Sequence, residues 1–301
     1  MKKILLIFFV AVAHFGMAQQ VKVLSLDKVT ETKNGEYYHP QISSNGEFLL
    51  LTKADYRGLV LFNLADKSAK ILNHDAGAGY GAQISDDGSS VLYKKINLVQ
   101  NRRQNALIVQ NIKTGDKKVL IAPTREPITQ RFIDSQPAYV KGKQMVIATP
   151  KATSSQRVIT IEDRRMVIYT NGNRKEMLPN GKDASYIWPG ISPDGRYIAY
   201  TVAGKGTFVC SIDGKNVKSL GKLNAPRWAG NRHLVGMNDI DDGEKLISST
   251  VLVVSIDGKV KQQLNTPSGV NAMYPDASKD GSKVVFSTDK GEIYIANVEL
   301  K

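Results

Sequence analysis

The stretch WPGISPDGRYIAY, residues 188–200, constrains the fold more than any other feature of this chain, because it recurs. Variants stand at HPQISSNGEFLLL (39–51), GAQISDDGSSVLY (81–93), QPAYVKGKQMVIA (136–148), APRWAGNRHLVGM (225–237) and YPDASKDGSKVVF (274–286). Counted from Pro40, Ala82, Pro137, Pro189, Pro226 and Pro275, the copies lie 37 to 55 residues apart. Self-similarity at that period belongs to repeat architectures. In each copy a proline or alanine opens a short strand, where a missing N–H is tolerated. A turn follows, most often Asn-Gly or Asp-Gly, in which glycine takes positive φ without steric cost. A β-rich strand closes the unit.

A second strand–turn–strand element follows every copy but the last: VLFNLADKSAKIL (60–72), LIVQNIKTGDKKVL (107–120), MVIYTNGNRKEML (166–178), FVCSIDGKNVKSL (208–220) and VLVVSIDGKVKQQL (251–264). Two hairpins per repeat predict four antiparallel strands, which is a propeller blade. The last copy reaches only a third strand, EIYIANVELK, before the sequence ends. The first strand, VKVLSLDKV (21–29), is expected to supply the fourth and so remove the open edge. The expected fold is all-β, a six-bladed β-propeller of four-stranded antiparallel blades closed by the N-terminal strand. It would form one domain over residues 19–301.

Residues 1–18 read as a signal peptide. Lys2 and Lys3 precede an apolar run from Ile4 to Phe15, then the small residues Gly16 and Ala18. The run is shorter than the roughly 20 residues that span a bilayer. An exported protein, periplasmic or secreted and not membrane-spanning, is therefore expected, as a monomer. Cys210, the single cysteine, sits in the apolar run FVCSI and reads as a buried, inert thiol.

The formal charge of +13 is concentrated between Lys94 and Lys175, where seventeen Lys and Arg face five Asp and Glu. The basic surface is expected at Arg102, Arg103, Lys117, Lys118, Arg164 and Arg165, a field that could steer an acidic partner or be merely solvated.

Candidates for chemistry are few. The histidines after the leader, His39, His74 and His233, form no metal-binding spacing, so neither a metal site nor a cofactor is expected. Asn238–Gly243 has the wrong register for a calcium loop, with Ile240 where an oxygen ligand is required. Glu162 and Asp163 are adjacent on a strand and point to opposite faces. No nucleic-acid-binding motif is present. What remains is a set of residues at the start of the first strand of each repeat. Tyr38, His39, Tyr80, Gln136, Trp188, Arg227, Tyr274 and Asp276 are expected to ring one mouth of the central channel. Exposed aromatics suit a binding surface, and equally a plug between blades.

The motifs PGISPDGRYIAY and PDASKDGSKVVF resemble the propeller repeats of TolB, the periplasmic component of the Tol-Pal system. They are also similar to the N-terminal propellers of prolyl-oligopeptidase-type peptidases. The resemblance runs over residues 21–301 and implies an extracytoplasmic scaffold that binds proteins or peptides at a channel mouth. The G-x-S-x-G elbow of the peptidases does not occur in this sequence. The expected function is a non-catalytic envelope scaffold for a protein or peptide partner. The alternative is an acidic-polysaccharide-binding protein, or a propeller lyase or hydrolase, with Arg227, His39 and Asp276 supplying charge and proton transfer.

Overall fold

The computed structural model describes residues 21–147 and 156–301; the signal-peptide reading lies outside them. The described strands form seven antiparallel sheets arranged as a ring. Blade 1 runs Tyr38–Ile42, Phe48–Thr52, Leu59–Asn63 and Ala69–Asn73, from the channel outward. Blade 2 is Gln83–Ile84, Ser90–Val99, Arg102–Asn111 and Lys117–Thr124. Blade 5 is Tyr186–Ile191, Tyr197–Val202, Gly206–Ser211 and Lys218–Gly221, and blade 6 is Asn224–Ala229, His233–Asp241, Leu246–Ser255 and Lys261–Gln263. Blade 7 is Ala272–Ala277, Lys283–Thr288 and Ile293–Leu300. Val21–Lys28 completes it, pairing Val21 with Leu300 and Lys28 with Tyr294.

The expected count of six is corrected to seven. Between blades 2 and 5 stand two blades, each with three described strands, where the repeat pattern suggests a single four-stranded one. Blade 3 is Ile128–Ile133, Gln136–Lys141 and Gln144–Ile147; blade 4 is Arg157–Glu162, Arg165–Thr170 and Asn173–Met177. The copy QPAYVKGKQMVIA is thus the second and third strands of blade 3, and ITQRFI at 128–133 is its inner strand. Its link to the next strand carries no Asn-Gly or Asp-Gly signal. Asp134 (φ 48°) and Ser135 (φ 60°) both take positive φ, a tight hairpin geometry that glycine usually supplies. Asp163 (φ 48°) and Arg164 (φ 66°) do the same in blade 4.

Packing supports the count independently. Successive side chains on a strand point to opposite faces, so each blade feeds two seams. Leu49 and Leu51 pack toward blade 7, and Leu50 between them packs toward blade 2. The buried apolar residues fall into seven clusters, one per seam. Blade 3 meets blade 4 through Ala138, Val140, Val158, Val167 and Tyr169.

In blades 1, 2, 5 and 7 the turn after the inner strand has one construction. A serine donates to an Asx side chain two residues on, as from Ser43 to Asn45 (2.8 Å), Ser85 to Asp87, Ser192 to Asp194 and Ser278 to Asp280 (2.6 Å each). The same serine oxygen accepts the N–H that opens the next strand. Glycine follows at positive φ: Gly46, Gly88, Gly195 and Gly281.

Blade 4 is turned over. The inner strands of blades 2 and 3 run the same way, since the Gln130 side chain donates to Gly81 O (2.8 Å) and Gln83 Oε1 accepts the Phe132 N–H (3.2 Å). Blades 3 and 4 run in opposite senses: Thr129 meets Thr160 (2.6 Å) and Arg131 donates to Arg157 O (3.1 Å). Arg157 in turn reaches Gly195 O, at the far end of blade 5's inner strand, while Arg164 O accepts from Tyr186 at its start. The Asp163–Arg164 turn therefore lies at the end of the ring where the other inner strands begin.

Candidate functional site

That end is built by a repeated irregularity. In blades 1, 5, 6 and 7 the inner strand carries a register shift at the proline: between Tyr38 and Gln41, Ile187 and Gly190, Asn224 and Arg227, and Met273 and Asp276. The residue before the proline is left-handed in each: His39 (φ 47°), Trp188 (φ 50°), Ala225 (φ 48°) and Tyr274 (φ 51°). Gly81 (φ 66°) takes the same conformation just ahead of blade 2's short inner strand. A bulge of this kind bends the strand and re-aims a side chain. Each non-glycine in this region costs about 1–3 kcal/mol, so four such residues in one ring mark a place where strain is retained.

The bulges bring the rim together. His39 stacks on Tyr56 at 4.3 Å and 22°, and on its other side meets Tyr274 at 4.0 Å. Tyr56 meets Tyr80 edge-on at 5.2 Å, and Lys94 Nζ lies 5.2 Å from the Tyr80 ring centroid. The result is a continuous arc, Tyr274–His39–Tyr56–Tyr80–Lys94, drawn from blades 7, 1 and 2. Burial, and then the positive charge of Arg227, push His39 down to about 4, so its imidazole is neutral at physiological pH. Burial, then Arg103, also lowers Lys94.

Beneath the arc lies a cavity of about 220 Å³, lined by Gln41, Ile42, Gly81, Gln83, Arg227 and Asp276 among others. Its lining comes from blades 1, 2, 6 and 7 and reaches Ser44 in the turn after blade 1's inner strand; blade 2's inner strand is only two residues long. Neighbouring inner strands are elsewhere tied by side chains, such as Gln83 to Gln130 O and Trp228 to Gly190 O. The Asp276 carboxylate accepts the Ile42 N–H at 3.0 Å. Burial raises its pKa, against the opposing pull of Arg227 and two backbone N–H groups. Drug-sized ligands occupy roughly 300–1,000 Å³, so this cavity suits one inserted side chain or sugar substituent.

The expected mouth residues divide. His39, Tyr80 and Tyr274 meet in the arc, and Arg227 and Asp276 stand below it. Trp188 is 46% exposed on blade 5 and makes no aromatic contact among the described residues. Tyr38 donates to Glu36 (3.1 Å) and stays out of the arc. Gln136 is a correction: it begins blade 3's second strand, beside the Asp134–Ser135 turn, at the opposite end of the ring. Ser135 at that turn accepts the Asp87 N–H, from the corresponding turn of blade 2. Tyr56 is absent from the sequence reading. It lies between the second and third strands of blade 1, outside the repeated motif, with φ 59° as its one local sign.

The basic residues do not form one patch. Arg102 and Arg103 tip the long hairpin of blade 2. Lys117 pairs with Asp75 (3.3 Å), while Lys118 is exposed on the outer strand. Arg165 pairs with Glu176 (3.2 Å), and Arg164 occupies the blade 4 turn. Arg164, Arg165, Lys143 and Lys182 line a second cavity of about 530 Å³ on blade 4, where Arg174 holds Glu162 at 2.7 Å. Cys210 is fully buried and pushed up to about 12 by burial. Among the described residues no three His, Cys, Asp or Glu side chains gather as a metal site, and no helix is long and apolar enough to cross a membrane.

No family model and no curated protein matches this chain. Solved structures do. TolB from Agrobacterium tumefaciens is 17% identical, with a TM-score of 0.55, 88% of this chain covered and 90% of that one. The Cps50 (Swd1) propeller domain of Myceliophthora thermophila is 10% identical, with a TM-score of 0.60 and 93% and 100% covered. Oligogalacturonate lyase from Vibrio parahaemolyticus is 16% identical, with a TM-score of 0.50 and 89% and 79% covered. At these identities the likeness establishes the propeller fold, and function must be argued from the site.

Proposed function

We propose that this propeller is a non-catalytic, exported scaffold that binds a protein or peptide partner in the bacterial cell envelope through the bulged mouth. The observation that carries the reading is the arc Tyr274–His39–Tyr56–Tyr80–Lys94 above the Arg227–Asp276 cavity. Rigid amphipathic rings offer large contact area at low entropic cost, and tyrosine and tryptophan are enriched among residues that dominate binding. The neutral imidazole adds a flat face without a charge to desolvate. An extended segment lies across the rings toward Trp188 and places one acidic or amide side chain in the cavity, against Arg227. Arg102, Arg103 and Arg164 steer acidic partners to this end. The N-terminal pattern of lysines, apolar run and small residues supports export.

The test is crosslinking of the tagged protein in its native envelope, with recovery of what is bound. Trp188→Ala with Tyr274→Ala should abolish capture and leave the melting temperature nearly unchanged. Unaltered capture by that variant refutes the mouth assignment.

A second reading is favoured by one specific feature. Asp276 is held toward its protonated form and His39 toward its neutral form, the complementary states that a proton-transfer pair requires. With Arg227 to receive a carboxylate, this suits a lyase or hydrolase acting on an acidic polysaccharide. Turnover of uronate-containing polysaccharides, with and without a divalent metal, decides it. Activity lost in Asp276→Asn establishes an enzyme, and no turnover across the panel removes that reading.

A further inference from the structure

The longest of the described strands stand at the mouth. Blade 2 raises Ser90–Val99 and Arg102–Asn111, and blade 6 raises His233–Asp241 and Leu246–Ser255. Both hairpins turn at the mouth end. The first is braced at the level of Ala76 by the Ile96 N–H (2.8 Å) and by Lys95 on Asp75 (3.0 Å). The second is braced at the start of blade 6 by Asn224 on Asp239 (2.7 Å) and by Lys222. Everything beyond those braces is an arm standing clear of the ring.

The two arms are opposite in charge and alike in exposing apolar side chains. The blade 2 arm carries Arg102 and Arg103, neither in an ion pair among the described residues, beside Leu98 (76% exposed) and Val99. The blade 6 arm carries Asp241, Asp242 and Glu244 against one cation, Lys245, beside Ile240 and Ile247, each more than half exposed. Large apolar side chains at the tips of two projecting hairpins mark an interaction surface. Blades 2 and 6 are three steps apart one way round the ring and four the other, so the arms stand nearly across the mouth from each other.

We propose that the arms bind a second copy of this chain, mouth to mouth, in place of the monomer expected from sequence. An isologous pair requires that surface i meet j while j meets i. A two-fold axis lying in the plane of the mouth and passing between the arms satisfies that. It sets each basic arm against the partner's acidic arm, twice, with the apolar tips enclosed between them. The net positive charge of each copy does not forbid it, because charges farther apart than about 8 Å are screened at physiological salt. The pair faces the two aromatic rims across a shared chamber. This goes beyond the binding reading and stands without it.

Sedimentation of the purified protein across a concentration series tests the pairing. A doubling of mass is expected, weakened at high salt. Arg102→Glu with Arg103→Glu should be monomeric, as should Asp241→Lys with Asp242→Lys, each melting like the wild type diluted to its monomer. Mixed one to one, the two charge-reversed proteins should pair again, because every contact in the mixed dimer regains opposite signs. A wild-type mass that stays single up to about 100 μM overturns the proposal. So does a dimer that persists in both variants, or a mixture that does not pair. A second readout uses Arg103→Cys in one chain and Asp241→Cys in the other. Since Cys210 is buried, oxidation of the mixture should give one crosslinked species, and no crosslink in a dimeric wild type counts against arm contact. Envelope capture by the arm variants is measured separately, so failure here leaves the rim reading standing.

Discussion

Blades 3 and 4 differ from the other five in three linked ways. Five blades carry a left-handed residue at the start of the inner strand, and four of these show the register shift. Blades 3 and 4 pair without interruption from Ile128–Lys141 to Ile133–Gln136 and from Arg157–Thr170 to Glu162–Arg165. Four of those five blades use the Ser–Asx–Gly turn, whereas blades 3 and 4 use two-residue turns with positive φ at non-glycine positions. The arc is drawn wholly from blades with that left-handed residue, blade 2 among them without a register shift, and blade 4 instead presents a charged cavity. Every seam has an apolar cluster, those of blades 3 and 4 included. The lesson is a division of labour: seam packing makes a blade, and a left-handed residue at the start of its inner strand makes it part of the mouth.

The comparison breaks first if blade 4 is not a full member of the ring. Tyr169 in blade 4 and Tyr200 in blade 5 are both fully buried, and their hydroxyls donate to Glu162 (2.7 Å) and Asn180 (2.6 Å). Truncating a buried aromatic costs about 3–5 kcal/mol. Tyr169→Ala and Tyr200→Ala should therefore lose similar stability in urea unfolding. A loss for Tyr169→Ala several-fold smaller would separate blade 4 from the cooperative ring.

The turns should respond with opposite signs. Gly281→Ala forces a Cβ to within 3.0 Å of the backbone at Ala229 and Gly230, at φ +77°. It should cost about 1–3 kcal/mol. Arg164→Gly relieves a left-handed residue and should be neutral or stabilise by up to about 1 kcal/mol. Thermal melts of the pair decide whether the two turn types differ as described.

The rim sharpens the comparison further. Trp188→Gly removes strain along with an exposed ring, so stability should change by about 1 kcal/mol or less while partner capture falls. A large destabilisation would make Trp188 a packing residue.

The smallest expected effect is on pH dependence. His39 binds a proton less readily folded than unfolded, from an ordinary 6.5 to about 4. The unfolded chain therefore takes up more protons between those values, and stability falls as pH drops through that window. Asp276 works the other way, its raised pKa favouring the folded state as pH falls. His39→Gln should flatten the loss between pH 6.5 and 4, and Asp276→Asn should steepen it. Both slopes come from melting temperatures across pH.

Much of this was legible in the residues. Alternating strands and Asn/Asp-Gly turns announce four-stranded blades, and the proline of each inner strand, or Ala82 in blade 2, directs attention to the neighbouring His39, Tyr80, Trp188 and Tyr274. Blade 3 was hidden because ITQRFI alternates without a glycine turn, so Gln136 was given the position that belongs to the Ile128–Ile133 strand. Tyr56 was hidden because it lies between hairpins, where no repeat marks it.

The sequence alone determined the blade architecture, because strand period and turn chemistry are local and repeat. Only the tertiary structure decided how many blades share the ring, which way blade 4 runs and which rings stack over Arg227 and Asp276. Those depend on seams between residues far apart in the chain. Local periodicity says which residues face a neighbour, and only the closed ring says which neighbour that is.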